Sequence, residues 1–264
     1  MRVWISGASS GLGEALAREL TSRGARIALF ARREDRLAAL RDSIQAAHAG
    51  VEVIAQKGDV RDRARVREAV SEAESRFGGL DVLLANAGIG ESLLPESFDA
   101  AIVEEVMAVN YLGAVYGIEA ALPGMLSRRS GTIACVSSIS AVRGLPASGP
   151  YCASKAALTT FLESLRLDLR GTGVKVVTVS PGFIRTPLTD RNRFPMPFLQ
   201  TPERAARIII DGILAGKREV HFPKRLTVPL KLLGCLPGSL SDLILAVSLG
   251  KKYRKDPGIL PFRK

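Results

Sequence analysis

The chain has 264 residues, of which 47% are hydrophobic and 24% charged, which fits one large globular domain or at most two small ones. Its formal net charge is +11, but residues 217–264 hold 11 Lys and Arg against 3 Asp and Glu, so the rest of the chain is nearly balanced. This distribution argues against a nucleic-acid footprint over the whole protein and leaves a basic tail to face an anionic partner, a membrane or solvent.

Cysteine and histidine usage excludes further classes. The three cysteines have no metal-ligand spacing, and their odd number argues against a disulfide framework and for a reducing compartment. Neither His48 nor His221 lies in a motif near an elbow serine, which argues against a Ser-His-Asp hydrolase. The N-terminus runs directly into the apolar segment 3–5 without the features of a signal peptide, so we expect a cytoplasmic protein.

Short β-branched runs alternate with longer helical patterns along the chain. This alternation predicts a Rossmann-type, doubly wound α/β fold, in which a mainly parallel seven-stranded sheet carries helices on both faces. Ligands bind such sheets at the carboxyl ends of the strands, where the strand order reverses. The predicted strands are 2–6, 26–31, 51–57, 82–85, 131–137, 175–180 and 219–222, and the predicted helices are 12–23, 34–47, 62–77, 99–127, 152–170 and 202–216.

A glycine-rich turn follows the first strand, where residues 6–13 read Ser-Gly-Ala-Ser-Ser-Gly-Leu-Gly. Glycines at a strand-to-helix turn let the backbone approach a pyrophosphate, and the helix N-terminus supplies N–H donors and a positive dipole. The spacing differs from the G-x-G-x-x-G of the general dinucleotide fingerprint, and an ordinary glycine-rich turn is the alternative. The predicted cofactor contacts here are Gly7, Ser9, Ser10, Gly11, Leu12 and Gly13.

Two arginines, Arg32 and Arg33, follow the second strand. An acidic residue near this point would bind the ribose 2′-hydroxyl of NAD, but residues 29–33 contain none. Guanidinium groups suit a 2′-phosphate instead, which predicts NADP(H) in preference to NAD(H) without deciding which arginine makes the contact. The alternative is a solvated start to the next helix, with either arginine paired to Glu34 or Asp35.

Small and polar residues close the third and fourth strands. A carboxylate after the third strand can accept a bond from the adenine amino group, although Asp59 or Asp62 could instead cap the next helix. Small residues after the fourth strand stand where the cofactor must pass close to the backbone. The predicted contacts at these two ends are Asp59, Val60, Asn86, Ala87 and Gly88.

Tyr151 and Lys155 stand four positions apart in a predicted helix, which places both side chains on one face. The ammonium charge favours the phenolate and is expected to lower the pKa of the tyrosine toward working pH. Such a pair can exchange a proton with an alcohol or a carbonyl.

Together these residues resemble the short-chain dehydrogenase/reductase family, in its compact single-domain form. They come in family order, and the interval of 13 between Ser138 and Tyr151 is the one that the family usually shows. The resemblance covers residues 1–222, with Ser6 standing where the family often has Thr. The matching residues are Gly7, Gly11, Gly13, Asp59, Asn86, Ala87, Gly88, Asn110, Ser138, Tyr151, Lys155, Pro181 and Gly182.

The resemblance implies hydride transfer between a nicotinamide and a substrate carbon, with Tyr151 as proton donor or acceptor. It further implies that Lys155 lowers the tyrosine pKa and binds the nicotinamide ribose, and that Ser138 holds the substrate oxygen. Asn110 would position a water that relays protons to Lys155. The choice of Ser138 over the adjacent Ser137 rests on the interval alone, and Asn110 could instead be a buried amide that ties a helix to a loop.

The loop after the sixth strand is expected, from the same resemblance, to meet the nicotinamide carboxamide. The implied contacts come from Pro181, Gly182, the backbone of Ile184 and the hydroxyl of Thr186. A plain Pro-Gly turn is the alternative.

Residues 188–200 correspond to the stretch that the family uses as a mobile lid over the substrate. Arg191 and Arg193 would face an anionic group, such as a carrier phosphate, or remain solvated. The apolar lining of this lid is expected from Phe183, Phe194, Met196, Phe198 and Leu199.

Residues 223–264 form a basic and apolar C-terminal extension beyond the predicted catalytic domain, 1–222. Pro229, Lys231, Pro237 and Asp242 interrupt its apolar run, which argues against a transmembrane helix. A short apolar helix is expected at 239–249, followed by Lys251, Lys252, Arg254 and Lys255. This pattern suits peripheral contact with anionic lipid, and resembles the membrane-dipping C-terminal segments of some steroid and lipid reductases of the family. A subunit interface or a cover for the substrate cleft is the alternative.

The sequence therefore predicts an NADP(H)-dependent oxidoreductase for a carbonyl or secondary alcohol, with a lipophilic small-molecule substrate and reduction as the cellular direction. A 3-oxoacyl-carrier reductase is the alternative within this class, and a non-catalytic NADP-binding regulator is the alternative outside it. The family resemblance implies a homodimer or homotetramer that pairs through residues 99–127 and 152–170.

Overall fold

A computed structural model describes residues 1–192 and 195–255, and for Ala246 and residues 248–255 it describes the backbone alone. Arg193, Phe194 and residues 256–264 lie outside this description, as do the side chains of the predicted cationic cluster at residues 251–255.

Seven strands form a single sheet in the order β3-β2-β1-β4-β5-β6-β7, and each neighbouring pair is parallel. Buried β-branched and aliphatic residues fill these strands, as expected of a parallel sheet covered on both faces. The predicted doubly wound α/β fold is thus confirmed. The strands are β1 (Arg2–Ser6), β2 (Arg26–Ala31), β3 (Val53–Lys57), β4 (Val82–Ala85), β5 (Gly131–Val136), β6 (Val174–Pro181) and β7 (Glu219–Phe222).

Helices cover both faces of the sheet and bury two separate apolar clusters. One cluster lies between the sheet and helices α1, α2 and α7, and the other lies between the sheet and helices α3, α5 and α6. The described helices are α1 (Gly11–Ser22), α2 (Glu34–Ala47), α3 (Arg63–Phe77), α4 (Ala100–Met107), α5 (Gly113–Ser127), α6 (Gly149–Asp168), α7 (Pro202–Leu214), α8 (Lys224–Gly234) and α9 (Gly238–Lys255).

The helix predicted at 99–127 is interrupted by a π-helical turn, Ala108–Leu112, between α4 and α5. Single π turns inside α-helices are frequent at functional sites, and this one carries Asn110. By length and composition alone the span Ala100–Ser127 would suffice to cross a membrane. Its packing against α3, α6, β4 and β5 is that of a core helix.

The C-terminal extension forms two helices, of which the sequence predicted only the second. Pro229, one of the residues that interrupt the apolar run, stands inside α8 without ending the helix. Thr227 of α8 is fully buried, and its hydroxyl lies 2.8 Å from Nδ1 of His221 on β7. The Ser241 hydroxyl donates to the Leu233 carbonyl at 3.0 Å, which joins α9 to α8.

The strand order reverses between β1 and β4, which are neighbours in the sheet although far apart in the chain. The crossovers from β1 and β4 leave toward opposite sides and open a crevice at the carboxyl ends of the strands. The predicted site residues at 7–13, 86–88 and 181–186 all follow strands at this edge.

Candidate active site

Backbone-to-backbone contact joins the turn after β1 to the turn after β4. Gly7 has a φ of +67°, and a Cβ at this position would lie 2.7 Å from Cα of Ala87. A Cβ on Gly13 would lie 2.1 Å from the carbonyl oxygen of Gly7, so the first turn of α1 packs directly on the loop. Only glycine fits either position, and the helix N-terminus is thereby brought to the crevice.

Ser6 and Asn86 tie these two turns together. The Ser6 hydroxyl accepts bonds from the amides of Asn86 at 3.1 Å and Ala87 at 3.2 Å, while the Asn86 side-chain amide donates to the Ser6 carbonyl at 3.1 Å. The Asn86 side chain therefore holds the loop. Sequence reasoning noted Ser6 only as a departure from Thr, but its hydroxyl is a structural tie between β1 and β4.

An arginine and two serines form a polar cluster at the turn between β1 and α1. Arg33 donates from Nη2 to the hydroxyls of Ser9 at 2.8 Å and Ser10 at 2.7 Å, and from Nε to Ser9 at 3.2 Å. Burial lowers the pKa of the Arg33 guanidinium, and the neighbouring charges of Arg36 and Arg32 lower it further. The cluster places positive charge and hydroxyl groups where an anionic group can bind.

Asp59 is bound by Arg61, a residue that sequence reasoning missed. Arg61 donates from Nη2 to one carboxylate oxygen at 2.6 Å and from its backbone amide to the other at 3.0 Å. These bonds are the main reason that the pKa of Asp59 is lowered. Asp62, not Asp59, caps α3 by accepting the amide of Arg65 at 3.0 Å. The Asp-x-Arg spacing at 59–61 was the available signal for this pair.

Tyr151 and Lys155 lie on one face of α6, as the spacing predicted. Nζ of Lys155 is 5.8 Å from the centroid of the Tyr151 ring, and it donates to the carbonyl of Val136 at the end of β5 at 2.8 Å. Lys155 is 3% exposed, and burial lowers the pKa of its ammonium group to about 8. The helix face thus places a phenol beside a cation that has little access to water.

The expectation that Lys155 lowers the tyrosine pKa stays a prediction, since Lys155 is not among the groups that shift the pKa of Tyr151 in this structure. Burial raises the pKa of Tyr151 to about 12, outweighing a hydrogen bond with the Ser138 side chain that lowers it. The Lys155 ammonium lies 5.8 Å from the centroid of the ring and donates one bond to the Val136 carbonyl. The phenol is therefore protonated at neutral pH, which is the state that a proton donor requires.

The two adjacent serines at the end of β5 have different hydrogen-bond partners. The Ser137 hydroxyl donates to the Lys155 carbonyl at 3.0 Å and lies 2.8 Å from the Thr159 hydroxyl, so it holds α6 against the strand. Ser138 hydrogen-bonds with Tyr151 and accepts the amide of Ser140 at 3.1 Å. Of the two, Ser138 is the serine that shares hydrogen bonding with the phenol.

Asn110 is buried, and its side-chain amide is fully engaged. Its Oδ1 accepts the amide of Ile89 at 2.8 Å, and its Nδ2 donates to the Ile89 carbonyl at 2.9 Å and to the Ser154 hydroxyl at 3.0 Å. These side-chain contacts are those of the alternative given for Asn110, a buried amide that ties a helix to a loop. A water relay through Asn110 would have to use its backbone.

The loop after β6 closes on itself above the crevice. Ile184 and Gln200 form a parallel bridge, supported by bonds of 3.0 Å from the Arg185 amide to the Gln200 carbonyl and 2.9 Å from the Gln200 amide to the Phe183 carbonyl. The Thr189 hydroxyl donates to the Ile184 carbonyl at 2.6 Å. The bridge therefore joins Gln200, the last residue of the predicted lid, to Ile184, which precedes the lid.

The described part of the lid differs from the expected apolar cover. Arg191 pairs with Glu91 across the crevice at 3.4 Å, and its side chain remains 34% exposed. Phe198 is 48% exposed, whereas Met196 and Leu199 are half-buried. Glu91 was missed in the sequence, although it closely follows the Asn-Ala-Gly segment.

A cleft of about 620 Å³ joins these features. Ser138 lines it, but Asn110 does not, because its side chain is directed into the Ile89 loop. Its size, the glycine turns and the Arg33 cluster fit an extended dinucleotide with phosphate groups. The predicted cofactor residues that line it are Gly7, Ser9, Ser10, Gly11, Leu12, Gly13, Arg32, Arg33, Asp59, Val60, Asn86, Ala87, Gly88, Tyr151, Lys155, Pro181, Gly182, Ile184 and Thr186.

Several known proteins resemble this chain in sequence or in structure. A family model described as short chain dehydrogenase matches residues 2–195. An uncharacterized oxidoreductase of Myxococcus xanthus is 42% identical over 238 residues, which cover 90% of this chain and 93% of that protein. The 11-beta-hydroxysteroid dehydrogenase-like 2 of Arabidopsis thaliana is 35% identical over 227 residues, covering 84% and 73%. A short chain dehydrogenase/reductase from Burkholderia phymatum, crystallised in complex with NAD, matches with a TM-score of 0.80 at 26% identity, covering 88% and 92%.

Proposed function

Because the chain belongs to the short-chain dehydrogenase family and is an oxidoreductase of that family, we propose that it uses NADP(H) to interconvert a lipophilic carbonyl compound and its secondary alcohol. The observation that carries the proposal is the hydrogen bond between Ser138 and Tyr151 beside the buried Lys155, inside a cleft that fits a dinucleotide. We expect reduction in the cell, because NADPH is kept reduced there.

In this proposal the protein's own groups handle the proton and the oxygen. Tyr151 donates its proton to the substrate oxygen, Ser138 hydrogen-bonds that oxygen as negative charge develops, and Lys155 supplies positive charge beside both. The nicotinamide supplies the hydride when it is bound. Burial raises the pKa of Tyr151, so the phenol carries its proton at neutral pH and can serve as the donor.

The NADP(H) preference is proposed from Arg33 and its partners. A guanidinium held by Ser9 and Ser10, with Arg32 lining the same cleft, suits a ribose 2′-phosphate. We expect Arg32→Ala with Arg33→Ala to weaken NADPH binding at least about tenfold and to leave NADH binding within about twofold, since a charge-assisted bond is worth about 1.5–3 kcal/mol. Fluorescence titration measures both affinities, with Arg41→Ala, an exposed arginine of α2 paired to Asp42, as the control. Equal losses for both cofactors would contradict the preference.

The substrate class is tested by turnover of a carbonyl panel with each cofactor. Reduction of apolar ketones or aldehydes in preference to sugars and polyols would support the proposal. Activity confined to carrier-bound acyl groups would favour the 3-oxoacyl-carrier reductase. NADPH binding without turnover of any panel member would favour the non-catalytic regulator.

We also propose that the C-terminal extension contacts anionic lipid. Helix α8 exposes Val228 and Leu232 one turn apart, and it begins with the exposed cations Lys224 and Arg225. Helix α9 adds an exposed apolar stripe at positions i, i+3 and i+7. An apolar face with a cationic rim matches an anionic bilayer surface. The residues of the α9 stripe are Leu240, Leu243 and Val247.

Cosedimentation of the full chain with vesicles containing phosphatidylserine tests this contact. We expect Leu232→Glu with Leu243→Glu to abolish binding, and high salt to weaken it. The control is Leu214→Glu, an exposed leucine at the end of α7. Wild-type binding equal to that of the double variant would contradict lipid contact and favour a subunit interface.

A cytoplasmic homo-oligomer completes the proposal. Leu126 on α5 and Leu167 on α6 are exposed, and these helices lie in the stretches through which the family resemblance implies pairing. Light scattering after size exclusion measures the state, and a monomer at every concentration would contradict it.

A further inference from the structure

Helix α8 touches both loops that form the walls of the candidate active site. At its first turn, a Cβ on Gly182 would lie 2.7 Å from Cδ2 of Leu226, so α8 packs on the loop after β6. At its last residue, a Cβ on Gly234 would lie 2.3 Å from Cγ1 of Val142, so the helix also packs on the loop that begins with Ser138. The extension is therefore in contact with the site from two sides.

Arg143 strengthens the second of these contacts. Its Nη2 donates to the carbonyl of Gly234 at 3.0 Å and to that of Leu236 at 2.5 Å. The last carbonyls of a helix have no partner within the helix and carry partial negative charge, which a guanidinium satisfies. Nε of Arg143 is buried without a hydrogen-bond partner among the described residues, so the bonds from Nη2 hold the side chain in this position.

Helix α8, which accepts the Arg143 bonds near its C-terminus, is itself fixed to the sheet. Thr227 of α8 is fully buried and hydrogen-bonds to His221 of β7, and Nζ of Lys231 lies 2.5 Å from Oε1 of Glu219 on the same strand. On the other side, a single 3-10 turn, Ile139–Ala141, separates Arg143 from Ser138. A short and continuous path thus runs from β7 through α8 and Arg143 to Ser138.

We propose that Arg143 is a positioning residue, which holds the Ser138 loop against helix α8 so that the C-terminal extension fixes the serine relative to Tyr151. This inference rests on the proposed reaction for its kinetic consequence. Because a displacement of 1 Å at a reacting group can cost on the order of 100-fold in rate, partial release of the loop should lower kcat about tenfold. The Kd for NADPH should change less than twofold, since Arg143 does not line the cofactor cleft.

Two variants of the full chain perturb the contact from opposite sides. Arg143→Met removes the bonds to α8, and Gly234→Ala pushes a methyl group into Val142. Gly238→Ala adds the same methyl where no atom lies within 4 Å and serves as the matched control. Arg143→Lys keeps the charge but loses the planar fork, and it should recover part of the rate.

Kinetics and hydrogen exchange are measured on the same proteins. In Arg143→Met and Gly234→Ala we expect kcat to fall about tenfold, and the amides of Ala141 and Val142 to exchange at least about tenfold faster while strand β2 is unchanged. Wild-type kcat and exchange in both variants would overturn the proposal. So would a loss of activity that follows general unfolding, with exchange accelerated throughout the protein. A wild type that reduces no carbonyl would refute the proposed function, and the exchange measurement would still decide the role of Arg143.

Discussion

Replacing Lys155 by Met should change how the stability of the cofactor-free protein depends on pH. Lys155 is 3% exposed, and burial lowers the pKa of its ammonium group from 10.5 to about 8. At about 1.36 kcal/mol per pH unit, the charged form costs the folded state about 3 kcal/mol. Because the folded-state pKa is the lower one, this cost is complete below about pH 8, shrinks as the pH rises from about 8 to 10.5, and is absent above.

The substitution also removes the hydrogen bond to the buried carbonyl of Val136, a loss of about 1–3 kcal/mol. That loss does not depend on pH, since the neutral amine donates the same bond. The two effects nearly cancel at neutral pH, so the informative quantity is the change with pH. Relative to the variant, the wild type should gain about 2 kcal/mol of unfolding free energy between about pH 7 and pH 9.5.

Urea unfolding followed by circular dichroism at these two pH values measures the difference. Lys57→Met, at a lysine whose side chain is 64% exposed, is the control and should show no such change. If the difference between wild type and Lys155→Met stays constant within about 0.5 kcal/mol, Lys155 does not carry a burial penalty and the reasoning fails.

Three further substitutions test individual contacts. Ser138→Ala should lower kcat about 100-fold, as loss of an oxyanion donor does. Ser137→Ala should instead lower the unfolding free energy by about 1–2 kcal/mol, because its hydroxyl holds α6 against β5. If kinetics and urea unfolding show that Ser137→Ala lowers kcat and Ser138→Ala lowers stability, the assignment of the two serines is wrong. Tyr151→Phe should lower kcat about 10²- to 10⁴-fold with NADPH affinity unchanged, and an equal loss of affinity would assign the tyrosine to binding. Gly7→Ala should lower the unfolding free energy by more than about 2 kcal/mol, because its Cβ would lie 2.7 Å from the backbone of Ala87. Gly24→Ala, also at positive φ but in open space, should lower it by about 1–2 kcal/mol. Similar losses in thermal unfolding would show that the positive φ, and not the close backbone contact, determines the loss of stability.

The sheet and the cleft were predictable because short-range patterns specify them. Seven β-branched or aliphatic runs and a glycine turn suffice to place the strands to within two residues, and parallel pairing then brings their carboxyl ends together. The spacing of Tyr151 and Lys155 likewise needs only the geometry of one helix. These features depend on neighbours in the chain.

Features that depend on neighbours in space were missed. The direction of the Tyr151 pKa follows from the loss of solvent around the phenol, which spacing does not reveal. The Glu91–Arg191 pair and the Arg143 contact join residues that are 100 and more than 90 positions apart. Helix α8 was missed for a different reason: tertiary packing around the buried Thr227 stabilises a helix whose internal proline argues against it.

The bridge between Ile184 and Gln200 holds the two ends of the intervening segment together. Because the two ends meet, a replacement of different sequence or length after Thr189 is expected to leave the bridge and the sheet unaltered. Loop-closure entropy grows only logarithmically, so even doubling the length costs about 0.6 kcal/mol. A loop grafted between Thr189 and Gln200 would therefore leave Thr186, the bond from Thr189 to the Ile184 carbonyl and the bridge itself in place.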